Sequence, residues 1–279
     1  MIRTLFFLLY LTLSTAATAQ ALRFLTYNIR YDNPNDGDDA WPKRRDWLAA
    51  QIGFYSPDVF GIQEGLHHQV EFLAQSLPQY AWVGVGRDDG RQAGEYSALY
   101  YRRDRFRLLD SGTFWLSETP DQPSKGWDAA LNRVCTYALL RDSATGRSLW
   151  VFNTHFDHMG QEARRQSALL IIQKIREKNP DNLPVLVMGD FNAEPGEAPV
   201  AVMKSALMDT RDVSETPAFG PSGTFNGFKF HEPVTRRIDY IFAGGTGLQV
   251  LRHAVLSDSK DCHYPSDHLP VMADISITL

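Results

Sequence analysis

The chain has 279 residues, 43% hydrophobic and 22% charged, with a formal net charge of -5. That composition excludes intrinsic disorder, and an acidic sum gives no general attraction to polyanions, which argues against long DNA or RNA as a dedicated substrate. The two cysteines, Cys135 and Cys262, make no disulfide framework and no zinc-type spacing; one bridge between them, or two free thiols, both stay open.

The N-terminus carries Arg3, an apolar run over residues 5–13 too short to span a bilayer, and Ala17-Thr18-Ala19. These are the three regions of a secretory signal with its cleavage site, and they fit that better than a buried N-terminal helix. The expectation is a signal peptide over residues 1–19 and a mature chain from Gln20, exported to a bacterial periplasm or beyond. Loss of Arg3 takes the net charge from -5 to -6. Residues 20–279 suit one α/β domain, with no internal repeat, low-complexity tract or interdomain linker.

A strand over residues 24–28 runs into an acidic, turn-forming loop at residues 32–39. That loop lacks the closing glutamate of an EF-hand and reads as solvated rather than calcium-binding. A helix from Trp41, with Trp47, Leu48 and Ile52 on one face, ends near Ser56-Pro57. A strand over residues 58–64 and a helix carrying Val70, Leu73 and Leu77 follow. Residues 80–141 read as strands and loops, with strands at 82–85, 97–101, 106–109 and 134–138 and a loop at 117–128. A helix over residues 161–178, with Ala168, Leu169, Ile172 and Ile175 at helical spacing, lies between strands 150–155 and 185–190. A shorter helix around residues 200–206 precedes a Gly- and Phe-rich loop at 220–233, and strands near 238–242, 249–254 and 270–277 close the domain.

Five apolar runs, residues 24–28, 58–64, 150–155, 185–190 and 237–241, each bring a carboxylate, amide or imidazole to a strand end: Asn28, Glu64, His155, Asp190 and Asp239. Strand ends in α/β sheets converge on one rim, where ligands and catalytic groups collect. Hard oxygen ligands beside histidines suit magnesium-assisted attack on a phosphate ester. Taken singly, each residue has a plainer reading. Glu64 can be a turn carboxylate, Gly189-Asp190 a turn, His155 and His268 core histidines, and Arg133 a surface cation.

Six short motifs stand in order: Tyr27-Asn28, Gln63-Glu64, Asn153-Thr154-His155, Gly189-Asp190-Phe191-Asn192, Arg237-Ile238-Asp239-Tyr240 and Ser266-Asp267-His268. In this order they resemble the endonuclease/exonuclease/phosphatase superfamily across nearly the whole mature chain. That superfamily includes pancreatic-type deoxyribonucleases, abasic-site endonucleases, deadenylases, inositol-polyphosphate phosphatases and bacterial sphingomyelinases. The resemblance implies an α/β four-layer sandwich of two packed mixed β-sheets flanked by helices, and a metal-dependent phosphoric ester hydrolase using Mg2+, with Mn2+ as a substitute.

It also implies roles. Glu64 would be the first metal ligand, Asn28 would orient it or share the metal, and Asp267 would lean toward the metal or a neighbouring backbone. Asp190 would orient or deprotonate the attacking water, and Asn192 would donate to a phosphoryl oxygen. His155 and His268 would act on the scissile phosphate, with Asp239 as partner of His155 and Glu95, in Gly94-Glu95-Tyr96, as partner of His268. Arg133 would bind phosphate. Two positions after Asn28, abasic-site endonucleases carry an acid where this chain has Arg30, which weakens a DNA-repair reading.

The expected reaction is hydrolysis of a phosphodiester in a small or short substrate by a monomer without stable membrane insertion. A sphingomyelinase-like lipid phosphodiesterase, a secreted non-specific nuclease and an inactive phosphate-binding module are the alternatives; no amphipathic or aromatic hairpin supports the first. Among the loop aromatics Trp41, Trp127, Phe225 and Phe228, Trp127 is the leading candidate for stacking on substrate.

Overall fold

The computed structural model describes residues 21–278; the signal expected at residues 1–19 lies outside them. In chain order the elements are β1 (Leu22–Asn28), α1 (Trp41–Tyr55), β2 (Val59–Gln63), α2 (His67–Ser76), β3 (Tyr80–Val83), β4 (Leu99–Arg102), β5 (Phe106–Trp115), β6 (Val134–Asp142) and β7 (Ser148–His155). Then come α3 (Gln161–Lys178), β8 (Val185–Asp190), α4 (Ala198–Lys204), β9 (Met208–Asp209), α5 (Thr210–Val213), β10 (Asp239–Gly244), β11 (Leu248–Val255) and β12 (Val271–Ile277). Two mixed six-stranded sheets result, ordered β11-β12-β1-β2-β4-β3 and β5-β6-β7-β8-β10-β9.

The period-2 pattern of the strands sorts their side chains into layers. Phe24 of β1, Val59 of β2, Val151 of β7, Met188 of β8 and Ile241 of β10 meet between the sheets. Their neighbours Leu25, Phe60 and Ile62 face the other way, onto Leu48 and Ile52 of α1 and Val70 and Leu73 of α2. On the second sheet, Phe152, Val187 and Tyr240 face Ala168, Ile171 and Ile172 of α3 and Met203 of α4. The order is helices, sheet, sheet, helices, as the resemblance implied. Each fully buried Leu, Ile or Phe contributes about 1.5–3 kcal/mol of transfer free energy to that stack.

The helix over residues 161–178 forms with the bounds its periodicity gives, although Leu169, placed by spacing on its inner face, is 40% exposed. Ser56, in the left-handed region at φ 46, ends α1 ahead of Pro57. Part of the acidic loop winds into a 3-10 turn, Pro34–Asp39. Gly189 is needed for close approach rather than for a turn: it lies within β8 at φ 150, and a Cβ there would collide with the Thr154 carbonyl of β7. Cys135 is buried and Cys262 exposed, and both are free. No helix among the described residues is long and apolar enough to cross a membrane.

Candidate active site

Alternation along the strands carries Asn28, His155, Asp190 and Asp239 to the inter-sheet face, at one rim. Parallel β7 and β8 set His155 opposite Asp190, and antiparallel β8 and β10 set Asp190 opposite Asp239. Asp239 therefore begins its strand rather than ending an apolar run. It reaches the same rim because β10 runs the other way. Glu64 lies one residue past β2 at φ 64, a left-handed conformation that turns its carboxylate inward.

Beneath the rim a polar floor joins the sheets. Gln63 Nε2 donates to Asn153 Oδ1 (2.6 Å) and Thr26 Oγ1 (3.0 Å), while Asn153 Nδ2 donates to the Ile62 and Ala98 carbonyls at 2.9 Å. Gly61 leaves room for it: a Cβ there would stand 2.5 Å from the Asn153 side chain. All three polar side chains are fully buried, so the bonds they make are ones water cannot replace.

Above that floor, Asn28 Nδ2 donates to Glu64 Oε1 (3.0 Å) and Asp190 Oδ2 (2.9 Å), and its Oδ1 accepts from the Arg30 N–H (3.0 Å). Both ends of the amide are occupied, so Asn28 orients the carboxylates. Glu64 Oε2 also accepts from the Tyr31 N–H at 3.1 Å. Asp190 Oδ1 accepts from the Asn192 N–H (2.9 Å), and its Oδ2 stands 3.4 Å from His155 Nε2 and 3.7 Å from His268 Nε2. Asn192 Nδ2 pairs with His155 Nε2 at 3.1 Å.

The histidine partners are the reverse of those expected. Asp239 Oδ2 bonds His268 Nδ1 at 2.9 Å and is itself held by Thr224 Oγ1 at 2.6 Å, whereas the nearest carboxylate to His155 Nδ1 is Glu95, at 3.9 Å. The sheet order explains this: β8 separates β7 from β10, so Asp239 cannot reach His155. Glu95 in turn is gripped by Arg87, with Nη1–Oε2 2.5 Å and Nη2–Oε1 2.9 Å.

These surroundings give the two imidazoles different charge, one neutral and one cationic. Burial, Arg133 and Arg87 hold His155 well below its ordinary value, so it is neutral. Burial opposes the cation at His268 too, but Asp239 and Asp190 prevail and hold it up to about 10. Burial and then Asp239 push Asp190 up to about 7. Burial, against Arg87 and Arg133, raises Glu95 to about 7. Asp267 is raised by burial and by Glu64.

These groups surround a cavity of about 460 Å³ that also includes Arg30, Tyr31, Leu131, Arg133, His158, Phe225 and Asp267. Arg133 is buried at its wall, with Nε 3.4 Å from Asp157 Oδ2 and Nη2 3.1 Å from His158 Nδ1. Arg30 pairs bidentately with Asp36 at 3.0 Å, which gives the acidic loop a structural duty. Trp127 is not among the lining residues, and Trp41 is in the core; of the four loop aromatics, Phe225 is the one at the cavity, 4.8 Å from the His268 ring. Phe228 instead lies against Arg44. Arg87, Asp157, His158 and Thr224 escaped the sequence reading. The His155-Phe156-Asp157-His158 run was the one available signal, two further polar side chains directly after a motif histidine.

Glu64, His155 and Asp190 bring ligand atoms within 4.8 Å of one another, and so do Asp190, Asp239 and His268. Buried carboxylates that raise one another mark a wall with more negative charge than its neighbours neutralise, and a hard divalent cation fits such oxygens. Glu64 and Asp190 would hold it, steadied by Asn28. Asp267 lines the cavity but belongs to neither group; its carbonyl instead accepts the Asn226 and Gly227 N–H groups at 3.1 and 3.3 Å.

The fold and this rim define a metal-dependent phosphoester hydrolase. The chain belongs to the Endonuclease/Exonuclease/phosphatase family, which it matches over residues 25–268. A family member from Bacteroides thetaiotaomicron is 37% identical, with TM-score 0.89 over 93% of this chain and 99% of that one. A mannosyl-6-phosphatase from the same organism is 38% identical, with TM-score 0.86 over 91% and 99%. Nocturnin of Xenopus laevis is 24% identical over 94% of this chain and 74% of its own. The chain spans 60% of the length of a matched protein from Acanthamoeba polyphaga mimivirus.

Proposed function

We propose that this protein is an exported, magnesium-dependent phosphoesterase of small substrates, and that a sugar phosphate is the substrate class to test first. The observation that carries the reading is the Glu64–Asn28–Asp190 array, half-buried at Glu64 and buried at Asn28 and Asp190, beside a protonated His268 in one cavity. Similarity to a mannosyl-6-phosphatase over 91% of the chain supports a monoester over the diester expected from sequence. A cavity of about 460 Å³ suits a small molecule.

A bound magnesium ion would polarise the phosphoryl oxygens and neutralise charge that develops on them. The chain's own groups do the rest. Asp190, raised toward neutrality, is placed to orient water and accept its proton. His268, held cationic by Asp239, presents Nε2–H toward the cavity to steady an oxyanion or protonate the leaving oxygen. Neutral His155 and the Asn192 amide fix the opposite side, and the Arg133 fork matches two phosphate oxygens.

The test is turnover of mannose 6-phosphate, p-nitrophenyl phosphate, bis-p-nitrophenyl phosphate and duplex DNA, with magnesium, manganese or chelator. Magnesium-dependent cleavage of the monoesters is expected. Faster diester cleavage restores the diesterase reading, efficient DNA cleavage a nuclease, and no turnover a binding module. Export rests on the N-terminal segment alone; sequencing of the mature protein is expected to start at Gln20.

A further inference from the structure

Arg44, in the first turn of α1, is 3% exposed, yet among the described residues it makes no ion pair. Its guanidinium instead donates to four backbone carbonyls: Asp39 (Nε, 2.8 Å), Ile29 (Nη1, 2.6 Å), Pro265 (Nη1, 3.0 Å) and Arg30 (Nη2, 2.8 Å). Its Cζ also lies 5.1 Å from the Trp41 ring centroid and 5.7 Å from that of Phe228. A buried cation without a carboxylate is costly, and such a site survives when each guanidinium nitrogen finds an acceptor, as all three do here.

The acceptors belong to the segments that carry the chemistry. Ile29 and Arg30 follow Asn28, and the left-handed Arg30 (φ 56) lets two successive carbonyls face one guanidinium. The next N–H, of Tyr31, holds Glu64 Oε2. Pro265 precedes Ser266-Asp267-His268. One other side-chain bond ties these two segments, Ser266 Oγ to the Asn28 carbonyl at 2.7 Å.

We infer that Arg44 is a positioning residue: it locks the Asn28–Tyr31 segment, and through it Glu64, in register with the segment bearing His268. This rests on the metallophosphoesterase reading for its effect on turnover, but not for its effect on metal affinity. Lysine cannot replace it, since an ammonium has three donors on one point where four acceptors are spread around a planar fork.

The experiment uses the full chain and its Arg44→Met and Arg44→Lys variants, with Arg45→Met as an exposed control expected to match wild type. Turnover of p-nitrophenyl phosphate at saturating magnesium gives kcat and KM, and electron paramagnetic resonance gives Mn2+ binding, all at about 15 °C below each variant's Tm. Both Arg44 variants are expected to lose about tenfold or more in kcat with KM changed less than about threefold. Mn2+ affinity is expected to weaken by about 10–100-fold, the usual cost of losing an outer support of metal ligands. If neither variant folds, Ser266→Ala takes the same measurements with the same expectation. A folded variant with kcat and Mn2+ affinity both within about twofold of wild type overturns the inference and leaves Arg44 a structural staple. If wild type turns over no substrate, the proposed function fails, and Mn2+ binding still decides the role of Arg44.

Discussion

The cavity has two walls of opposite sign, and one histidine stands on each. His155 and His268 present Nε2 to the same Asp190 oxygen, at 3.4 and 3.7 Å. His268 has Asp239, Asp190 and Asp267 around it and is a cation; His155 has Arg133 and Arg87 and is neutral. Equal burial and an equal residue type lead to different chemistry because neighbours, not identity, set the proton. One wall can hold a metal and donate a proton, while the other is built to receive anionic oxygens.

The largest effect is expected on the negative wall. Glu64→Gln removes a charge but little volume, and turnover should fall by about three orders of magnitude or more, the several kcal/mol a metal supplies. Magnesium binding should weaken in parallel with Tm little changed. Calorimetric metal titration beside a rate assay checks this; wild-type rates would remove Glu64 from the metal wall.

Next comes the contrast between the histidines. Asp239→Asn should cut turnover by about 10²–10⁴-fold, the range for a displaced acid–base group. The sign of its pH effect follows from the raised value of His268: in wild type the cation persists from acid through neutrality and is lost as pH rises through about 10. Without Asp239 that loss moves down toward the ordinary 6.5, so the alkaline limb of the kcat profile shifts to lower pH. Glu95→Gln, beside an already neutral His155, should cost about tenfold or less and leave that limb in place. Equal shifts in the two variants would erase the distinction between the walls.

The positive wall is milder. Arg133→Lys keeps the charge and loses the fork, and should raise KM about tenfold with a smaller change in kcat. Steady-state kinetics with a phosphomonoester checks it. A selective loss of kcat would move Arg133 from binding to chemistry.

Much of this rim is legible in the sequence, because period-2 alternation and strand-end polar residues are local facts. Asn28, His155, Asp190 and Asp239 arrive where alternation sends them, Glu64 is turned to the same rim by its left-handed φ just past β2, and α3 (Gln161–Lys178) follows its apolar spacing. The histidine pairing was not legible. It depends on β8 lying between β7 and β10, and strand order in a sheet is a non-local outcome. That Phe225 rather than Trp127 reaches the cavity was not legible for a similar reason: its place is fixed by isolated bridges to Arg236 and His268, residues 11 and 43 positions away in the chain. Arg44 looked like any charged residue of a helix N-terminus, since backbone carbonyls as partners leave no mark in a sequence.

A third buried histidine, far from the rim chemistry, asks whether the rule of neighbours is general. His253 of β11 is 2% exposed; its Nδ1 bonds Thr210 Oγ1 at 2.9 Å, and Nε2 has no partner. Thr210 Oγ1 donates onward to the Ile241 carbonyl, so Nδ1 carries the proton and the ring is a neutral donor. Burial first, then Arg237 and Arg211, lower it from 6.5 to about 3, with Asp212 too weak an opponent to reverse this. It belongs with His155, not His268. Because the folded state resists a proton that the unfolded chain accepts, stability from this group is full above 6.5 and declines as pH falls from 6.5 toward 3. The slope it adds is at most about 1.4 kcal/mol per pH unit. His253→Asn keeps a donor near Nδ1 and cannot titrate, so it should be less stable than wild type at neutral pH by about 1 kcal/mol through lost packing, yet lose less as pH drops from 6 to 4. Urea unfolding across that range reads both quantities. Parallel stability curves for the two proteins would mean that His253 accepts its proton in the folded state, and that burial among arginines does not suffice to keep an imidazole neutral.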